Sequence, residues 1–350
     1  MKIFRIASMP ASEGDSLVIT YGNEVSLKHI LIDAGRHAAV KHIERHFREN
    51  DIKHLELLVV THVDADHIEG MIDFLDNNPD IVIDDIWFNG YRHLADGADI
   101  MGAVQGEQLT ERIKELKWNL ATGGKSISIL GGNPRKMTRL PGGMDITLLS
   151  PDAAKLLKMV PVWNEECANA GIVPTIAPIL EEIPAGLESM GAIDIDMEAD
   201  KHTEDDKKAA NGSSIAFVAE YQGKRVLFGA DAHPDIMLRS LQKLSAAKPF
   251  EIDLFKVCHH GSKANTTKAM LERLACSNYL ISTSGSRFKH PDQPAIARII
   301  KYGGDNPTIY FNYRQEQTDI WGARARLPGE PTYDCVYADD GEPLIIELLP

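Results

Sequence analysis

The segment His62-Val63-Asp64-Ala65-Asp66-His67 constrains this chain more than any other. It directly follows an apolar run, Leu55-Glu56-Leu57-Leu58-Val59-Val60-Thr61. It directly precedes Ile68, Met71, Ile72 and Leu75, which recur at the i, i+3, i+4, i+7 spacing of one helix face. A buried strand therefore passes into an amphipathic helix through a loop that carries two imidazoles and two carboxylates. Such strand ends are where α/β sheets commonly bind ligands. Four such groups packed together would repel, or lose hydration without return, unless something cationic lay among them. A pair of divalent ions is the simplest candidate.

The flanking sequence reads as strands at both ends of the chain and strands alternating with helices between them. Met1–Ala7, Ser16–Tyr21 and His29–Asp33 are short runs bounded by Gly14, Gly22 and Gly35. His37 to Phe47 has helical spacing, and Ile81–Asn89 reads as a strand. In the middle, Ile100–Leu120 and Asp152–Leu157 read as helices, and Lys125–Leu130 and Asp145–Leu149 as short strands. Residues 161–208 read as a long loop or partly disordered insertion near the site, with the acidic run Asp194–Lys208 a solvated surface. Ser213–Tyr221 and Lys224–Gly229 form a predicted hairpin. Ile252–Cys258 and Tyr279–Ser284 follow as strands, with Pro234–Ala246, Lys268–Ala275 and Pro294–Tyr302 as helices. Thr308–Tyr313, Tyr333–Tyr337 and Leu344–Leu348 complete the strands. The pattern predicts an α/β fold in which two sheets face each other with helices outside.

Three further clusters sit at predicted strand ends: Gly229-Ala230-Asp231, His259-His260-Gly261-Ser262, and Ser282-Thr283-Ser284 followed by His290-Pro291. Each is weak alone; together they suggest convergence on one rim. In this order, with Glu13-Gly14-Asp15-Ser16, Ile32-Asp33-Ala34-Gly35 and Asn211-Gly212-Ser213-Ser214, they resemble the metallo-β-lactamase-fold hydrolases. In particular the chain resembles the soluble hydrolase domain of the DNA-uptake protein ComEC and its free-standing relatives. The resemblance covers about residues 1–90 and 211–300.

That resemblance implies an αββα sandwich of two mixed sheets, a single domain over 1–350 with an insertion at about 91–208. It implies that His62 and Asp64 bind one metal, that Asp66 and His67 bind a second, and that Asp231 bridges them. His290 and one of His259 and His260 would complete the second metal or face the substrate, with His259 nearer the metal and His260 nearer the substrate. Asp64 stands where most relatives have His, which favours Mn²⁺ or Mg²⁺ beside Zn²⁺. The usual extra His before the bridging Asp is missing; Asn211 is nearest its place and His202 is a remote alternative.

Two such ions can hold a bridging hydroxide as nucleophile. Asp66 would position it or take its proton, and His260 would stabilise the transition state or protonate the leaving oxygen. Asn211, Ser262 and Lys263 are candidate substrate contacts. The leading expectation is a binuclear phosphodiesterase or nuclease acting on nucleic acid or nucleotides. Hydrolysis of a small ester, phosphorylcholine-like or a lactone, is the enzymatic alternative. A metal-stabilised regulatory module working with a protein partner, or as a homo-oligomer, is the non-enzymatic one. The formal charge of −14 argues against a long basic nucleic-acid groove. Four scattered cysteines without a CxxC, no membrane-length apolar stretch and no signal peptide make a cytoplasmic chain the expectation.

Overall fold

The glycine-bounded runs at the start of the chain form an antiparallel meander: β1 (Lys2–Ser8), β2 (Leu17–Asn23) and β3 (Ser26–Ile32). The computed structural model describes residues 1–94, 104–169, 193–324 and 329–349. Beyond the meander, β4 (Leu57–Val59) and β5 (Ile86–Trp87) add in parallel, and the C-terminal strand Leu344–Leu349 closes the other edge against β1. A second sheet contains β6 (Arg135–Lys136), β7 (Asp145–Ser150), β8 (Ala216–Tyr221), β9 (Lys224–Phe228), β10 (Leu254–Lys256), β11 (Asn278–Ile281), β12 (Thr308–Phe311) and β13 (Asp334–Tyr337). With the C-terminal strand named β14, the orders are β14-β1-β2-β3-β4-β5 and β13-β12-β11-β10-β9-β8-β7-β6.

Strand alternation divides the apolar residues between two faces. Ile19, Ile30, Leu57 and Trp87 of the first sheet meet Ile146, Phe217, Val226 and Leu254 of the second in one buried cluster. The opposite face of the first sheet, with Val18, Leu31 and Leu58, packs on α1 (Val40–Glu49) and α2 (Ala65–Asn77) through Ile43, Phe47, Met71 and Phe74. The outer face of the second sheet carries Leu227, Phe255 and Tyr279. It packs on α7 (Pro234–Leu244), α8 (Lys268–Leu271) and α9 (Gln293–Tyr302). The result is the expected αββα sandwich.

The middle of the chain departs from the sequence reading. Helix α3 spans Val104–Ile113 and stops well short of Leu120. Asn119 adopts a left-handed conformation, and its amide pairs with both Phe88 N–H and Phe88 O, taking the place of a strand partner. Residues 100–103 lie outside the described residues. Ile81–Asn89 is two short strands, Val82–Ile83 and Ile86–Trp87. Asp85 between them accepts from Leu120 and Ala121 N–H. Lys125–Leu130 is not a strand; the side chain of Asn89 pairs with Ile127 N–H and Ile127 O instead. Helix α4 runs from Ala153 through Asn169, with Pro161 inside it. Helix α8 ends at Leu271, and Leu274–Ala275 is a short strand. Helix α10 (Glu316–Ala323) went unrecognised because its apolar residues are few; its N-terminus rests on a capping box from Gln315 and Thr318.

The expected loop over 161–208 needs the largest correction. Residues 170–192 lie outside the described residues. The acidic run, however, is tied down. Helix α5 (Ile195–Ala199) lies on α9, and the short α6 (Ala209–Gly212) follows the run. The buried Arg298 guanidinium donates to Ala199 O, Lys201 O and Thr203 Oγ1 on one side, and to Lys263 O and Thr266 O on the other. A buried arginine with five acceptors on two segments acts as a clamp, and it fixes residues 199–203 against the loop after β10. No described helix is long and apolar enough to cross a membrane.

Phe217 is fully buried between the sheets, in ring contact with Trp87 across the interface and Phe228 beside it. Phe217→Ala is expected to lower the unfolding free energy by about 3–5 kcal/mol. Val25→Ala, at a side chain 94% exposed, should change it by less than about 0.5 kcal/mol. Denaturant unfolding of the two variants measures both.

Candidate metal centre

Parallel pairing brings the site together. Phe228 of β9 pairs with Lys256 of β10, and Lys256 with Leu280 of β11. Asp231, His259 and Ser282, each a few residues past that level, therefore emerge on one rim. The loop between β4 and α2 faces them from the other sheet; Ile215 N–H donates to Thr61 O across the junction. Gly14 lets the β1–β2 loop press on this loop: a Cβ there would lie 1.6 Å from Asp66 O.

Asp231 is the centre of the arrangement. Its Oδ2 lies 3.8 Å from His62 Nε2 and 3.6 Å from His259 Nε2. Its Oδ1 lies 3.6 Å from His67 Nε2 and 3.7 Å from His260 Nε2. Asp64 Oδ2 joins the first group, 3.8 Å from His62 Nε2, and Asp66 Oδ2 joins the second, 3.5 Å from His260 Nε2. One carboxylate thus faces two donor sets, one with each oxygen.

The remaining ring nitrogens point away and are engaged. His67 Nδ1–H donates to Asp33 Oδ2 at 2.8 Å, and His62 Nδ1 meets Thr61 Oγ1 at 3.0 Å, whose hydroxyl donates to the same Asp33. His260 Nδ1–H donates to Ser282 O at 2.9 Å, and His259 Nδ1–H to Asn265 Oδ1 at 2.9 Å. Each hydrogen bond orients its ring so that Nε2 faces Asp231, the outer arrangement typical of metal-binding imidazoles, and the Nε2 atoms of His67 and His260 meet at 3.2 Å.

These residues fit divalent ions. His62 Nε2 and Asp231 Oδ1 are buried without a hydrogen bond. Separations of 3.6–3.8 Å are too long for hydrogen bonding. They suit donors that each lie about 2 Å from a shared ion. His62 with His67 and Asp231, and Asp66 with His67 and His260, are buried groupings that could hold a metal. Burial alone would raise the carboxyl pKa of Asp231, but the His259, His260 and His67 rings hold it well below the usual range. Burial would lower His260; Asp231, Asp15 and Asp66 override it and raise it to about 10. Ala230, His259 and His260 all have positive φ, a strained backbone that places adjacent side chains in different sets.

Several sequence expectations change. His260, expected on the substrate side, is buried with Nε2 inside the second donor set. His259, expected at the second metal, faces the Asp231 oxygen that His62 faces. It thereby lies on the same side of Asp231 as His62, whereas Asn211 stands behind it. Asn211 lies behind His259, and its Nδ2 donates to Asp206 Oδ2. His202 and Lys263 line a surface cavity with Lys201 and Pro294. Ser262 is buried, its N–H bonded to His259 O and its Oγ to Ala264 N–H, so it shapes the loop and does not face a cleft. His290 sits beside the sets, its ring 5.4 Å from that of His259. Burial and the two neighbouring rings keep its pKa well below the ordinary value.

Sequence reasoning missed Asp206, Lys208, Asn265 and the Asp15–Lys256 pair, and assigned no role to Asp33. Asp206, half-buried, accepts from Asn211 and Asn265, and its Oδ2 lies 3.4 Å from His259 Nδ1. Burial would raise its pKa, but His259 and Asn211 hold it low. Lys208 Nζ lies 2.9 Å from Asp64 Oδ2 and is partly exposed. Their one signal was position, just before the Asn211-Gly212-Ser213-Ser214 segment.

No protein-family profile and no curated protein matches the chain. Among solved structures, a point variant of the β-hydroxylase CmlA is similar over 99% of this chain and 54% of its own, at 9% identity and a TM-score of 0.41. A diphosphatase described as from the PhnP family is similar over 100% of both chains, at 11% identity and a TM-score of 0.37. The chain spans about half the length of the first of these. Both are similarities of outline, and the reading of the site rests on its own geometry.

Asp206→Ala should leave the fold intact but remove one brace from Asn265 and from the nearby His259 ring. We expect the affinity for one of two ions to fall about 10–100-fold, with the other retained. Calorimetric titration of the metal-free protein with Zn²⁺ or Mn²⁺ resolves the two.

Proposed function

We propose that the chain is a metal-dependent hydrolase that cleaves phosphodiesters, in line with its resemblance to the ComEC-like hydrolases. The observation that carries this reading is the buried Asp231 facing two donor sets, one with each oxygen. His62, Asp64 and His259 would hold one ion, Asp66, His67 and His260 the other, and Asp231 both. Zinc and manganese suit four imidazoles mixed with three carboxylates. Such ions, when bound, would supply an acidified water and positive charge at a phosphoryl oxygen.

The chain's own groups do the rest. Cys258, next to the histidines, is fully buried and its thiol is pushed up to about 12 by burial, so it is no thiolate nucleophile. Water is then the attacking group. Asp66, held ionised against burial by His260 and His67, is placed to orient it and take its proton. Lys208, reaching Asp64 from the partly exposed side, is placed to meet an anionic substrate oxygen. His290 would stand at the substrate side as a neutral imidazole. Nucleic acid and nucleotides are the substrates proposed.

Asp66→Ala and Asp231→Ala are each expected to reduce cleavage of bis-p-nitrophenyl phosphate by at least about 100-fold in the presence of Mn²⁺ or Zn²⁺. Unchanged rates in folded variants would sink the proposal. Affinity for single-stranded DNA that falls steeply with salt would assign a polymer substrate. Salt-insensitive turnover would favour a short one, as the charge of −14 does.

A further inference from the structure

Lys256 is an anomaly in the sheet. It lies within the apolar run Ile252–Cys258, on β10, and is 1% exposed. Its ammonium donates to Asp15 Oδ2 and, at 3.1 Å, to Val257 O. Asp15 is 2% exposed and belongs to the β1–β2 loop of the opposite sheet. A buried ion pair of this kind is weak support for a fold, because desolvation of both charges can exceed their attraction, and apolar residues of similar volume often serve as well. The pair therefore needs another reason.

The other carboxylate oxygen supplies it. Asp15 Oδ1 has no hydrogen bond and lies 3.5 Å from His260 Nδ1. The same loop braces the rest of the second donor set. Gly14 packs on the Asp66 backbone, and Gly14 O accepts from Ser282 Oγ, the residue whose carbonyl takes the His260 Nδ1–H. Asp15 also falls close enough to Asp231 and His260 to form a rival grouping that could hold a cation. Whatever claims its charge decides which grouping an ion meets.

We infer that Lys256 is a positioning residue for the second cation set: it holds Asp15 behind His260 as a negative charge and keeps that carboxylate from acting as a competing ligand. This rests on the two-ion reading of the site. With Lys256 in place, His260 is fixed in position and its Nε2 remains the donor. Without it, an unpaired carboxylate would lie beside Asp231 and the ligand set would change.

The test is metal binding to Lys256→Met and to the double variant Asp15→Asn with Lys256→Met, read by calorimetric titration and by the visible spectrum of the Co²⁺ form. The double variant removes both charges together, so it is expected to fold with a Tm near that of the wild type. Its affinity for one of two ions should nevertheless fall about 10–100-fold. Lys256→Met alone should alter the Co²⁺ ligand-field bands as Asp15 enters the site. Wild-type affinities and spectra in a folded double variant would overturn the inference while leaving the two-ion reading standing. A double variant that cannot fold would overturn it too, because the pair would then serve the sandwich. A wild-type chain that binds no ion would remove both this inference and the proposed function.

Discussion

The structure of the site depends on one carboxylate held among four imidazoles. Asp231 is 2% exposed, and all four Nε2 atoms around it lie within 3.8 Å of one of its oxygens. A buried carboxylate is tolerable only beside positive charge. In the metal-free chain this carboxylate draws protons toward the rings, raising the pKa of His67, His259 and His260. Ions would release those protons on binding, which couples affinity to pH and to folding. The surrounding hydrogen bonds make sense in this light. Asp33, Thr61, Asn265 and Ser282 decide which nitrogen of each ring faces Asp231.

The centre is also a joint between the two sheets. His62, Asp64, Asp33 and Asp15 come from loops of the first sheet, Asp66 and His67 from the first turn of α2 beside it, and Asp231, His259 and His260 from loops of the second. The apolar cluster holds the sheets face to face but says nothing about a displacement along their planes. Directional contacts at the rim do: Lys256 with Asp15, Ser282 with Gly14 O, and Ile215 N–H with Thr61 O. Ligands that span the joint would tighten it, so occupancy by ions should stabilise the whole sandwich by mass action.

What was legible in the sequence follows the range of the signals. The strand–loop–helix around His62 to His67 was readable because period and ligand spacing are both local there. The hairpin of β8 and β9 was readable for the same reason, with Gln222-Gly223 at its turn. The division of labour between His259 and His260 was not, because it depends on successive positive φ values that turn adjacent side chains apart. Asp206 looked like one more charge in a solvated run; its place beside Asn211 and Asn265 depends on Arg298, about ninety residues away, clamping the neighbouring backbone. Lys256 was a lysine inside an apolar run, a visible conflict whose meaning required its partner in the other sheet. Helix α10 had too few apolar residues for its period to show.

The clamp has a consequence for what the site can accept. Residues 199–212 form one wall of the centre: Arg298 holds one end, Asp206 braces His259 through Asn265, and Lys208 reaches Asp64. His233 fixes the backbone between them by donating to Lys208 O at 2.9 Å. This wall brings a cation to the partly exposed side of an otherwise acidic protein, within reach of whatever occupies the first donor set. A neutral ester would gain little from that ammonium, whereas an anionic phosphodiester would be drawn to it and to the ions together. Under the proposed function, charge placement at this wall would suit an anionic substrate even though the overall charge is −14, because the field over a few ångströms is set by the nearest groups and salt screens the distant ones.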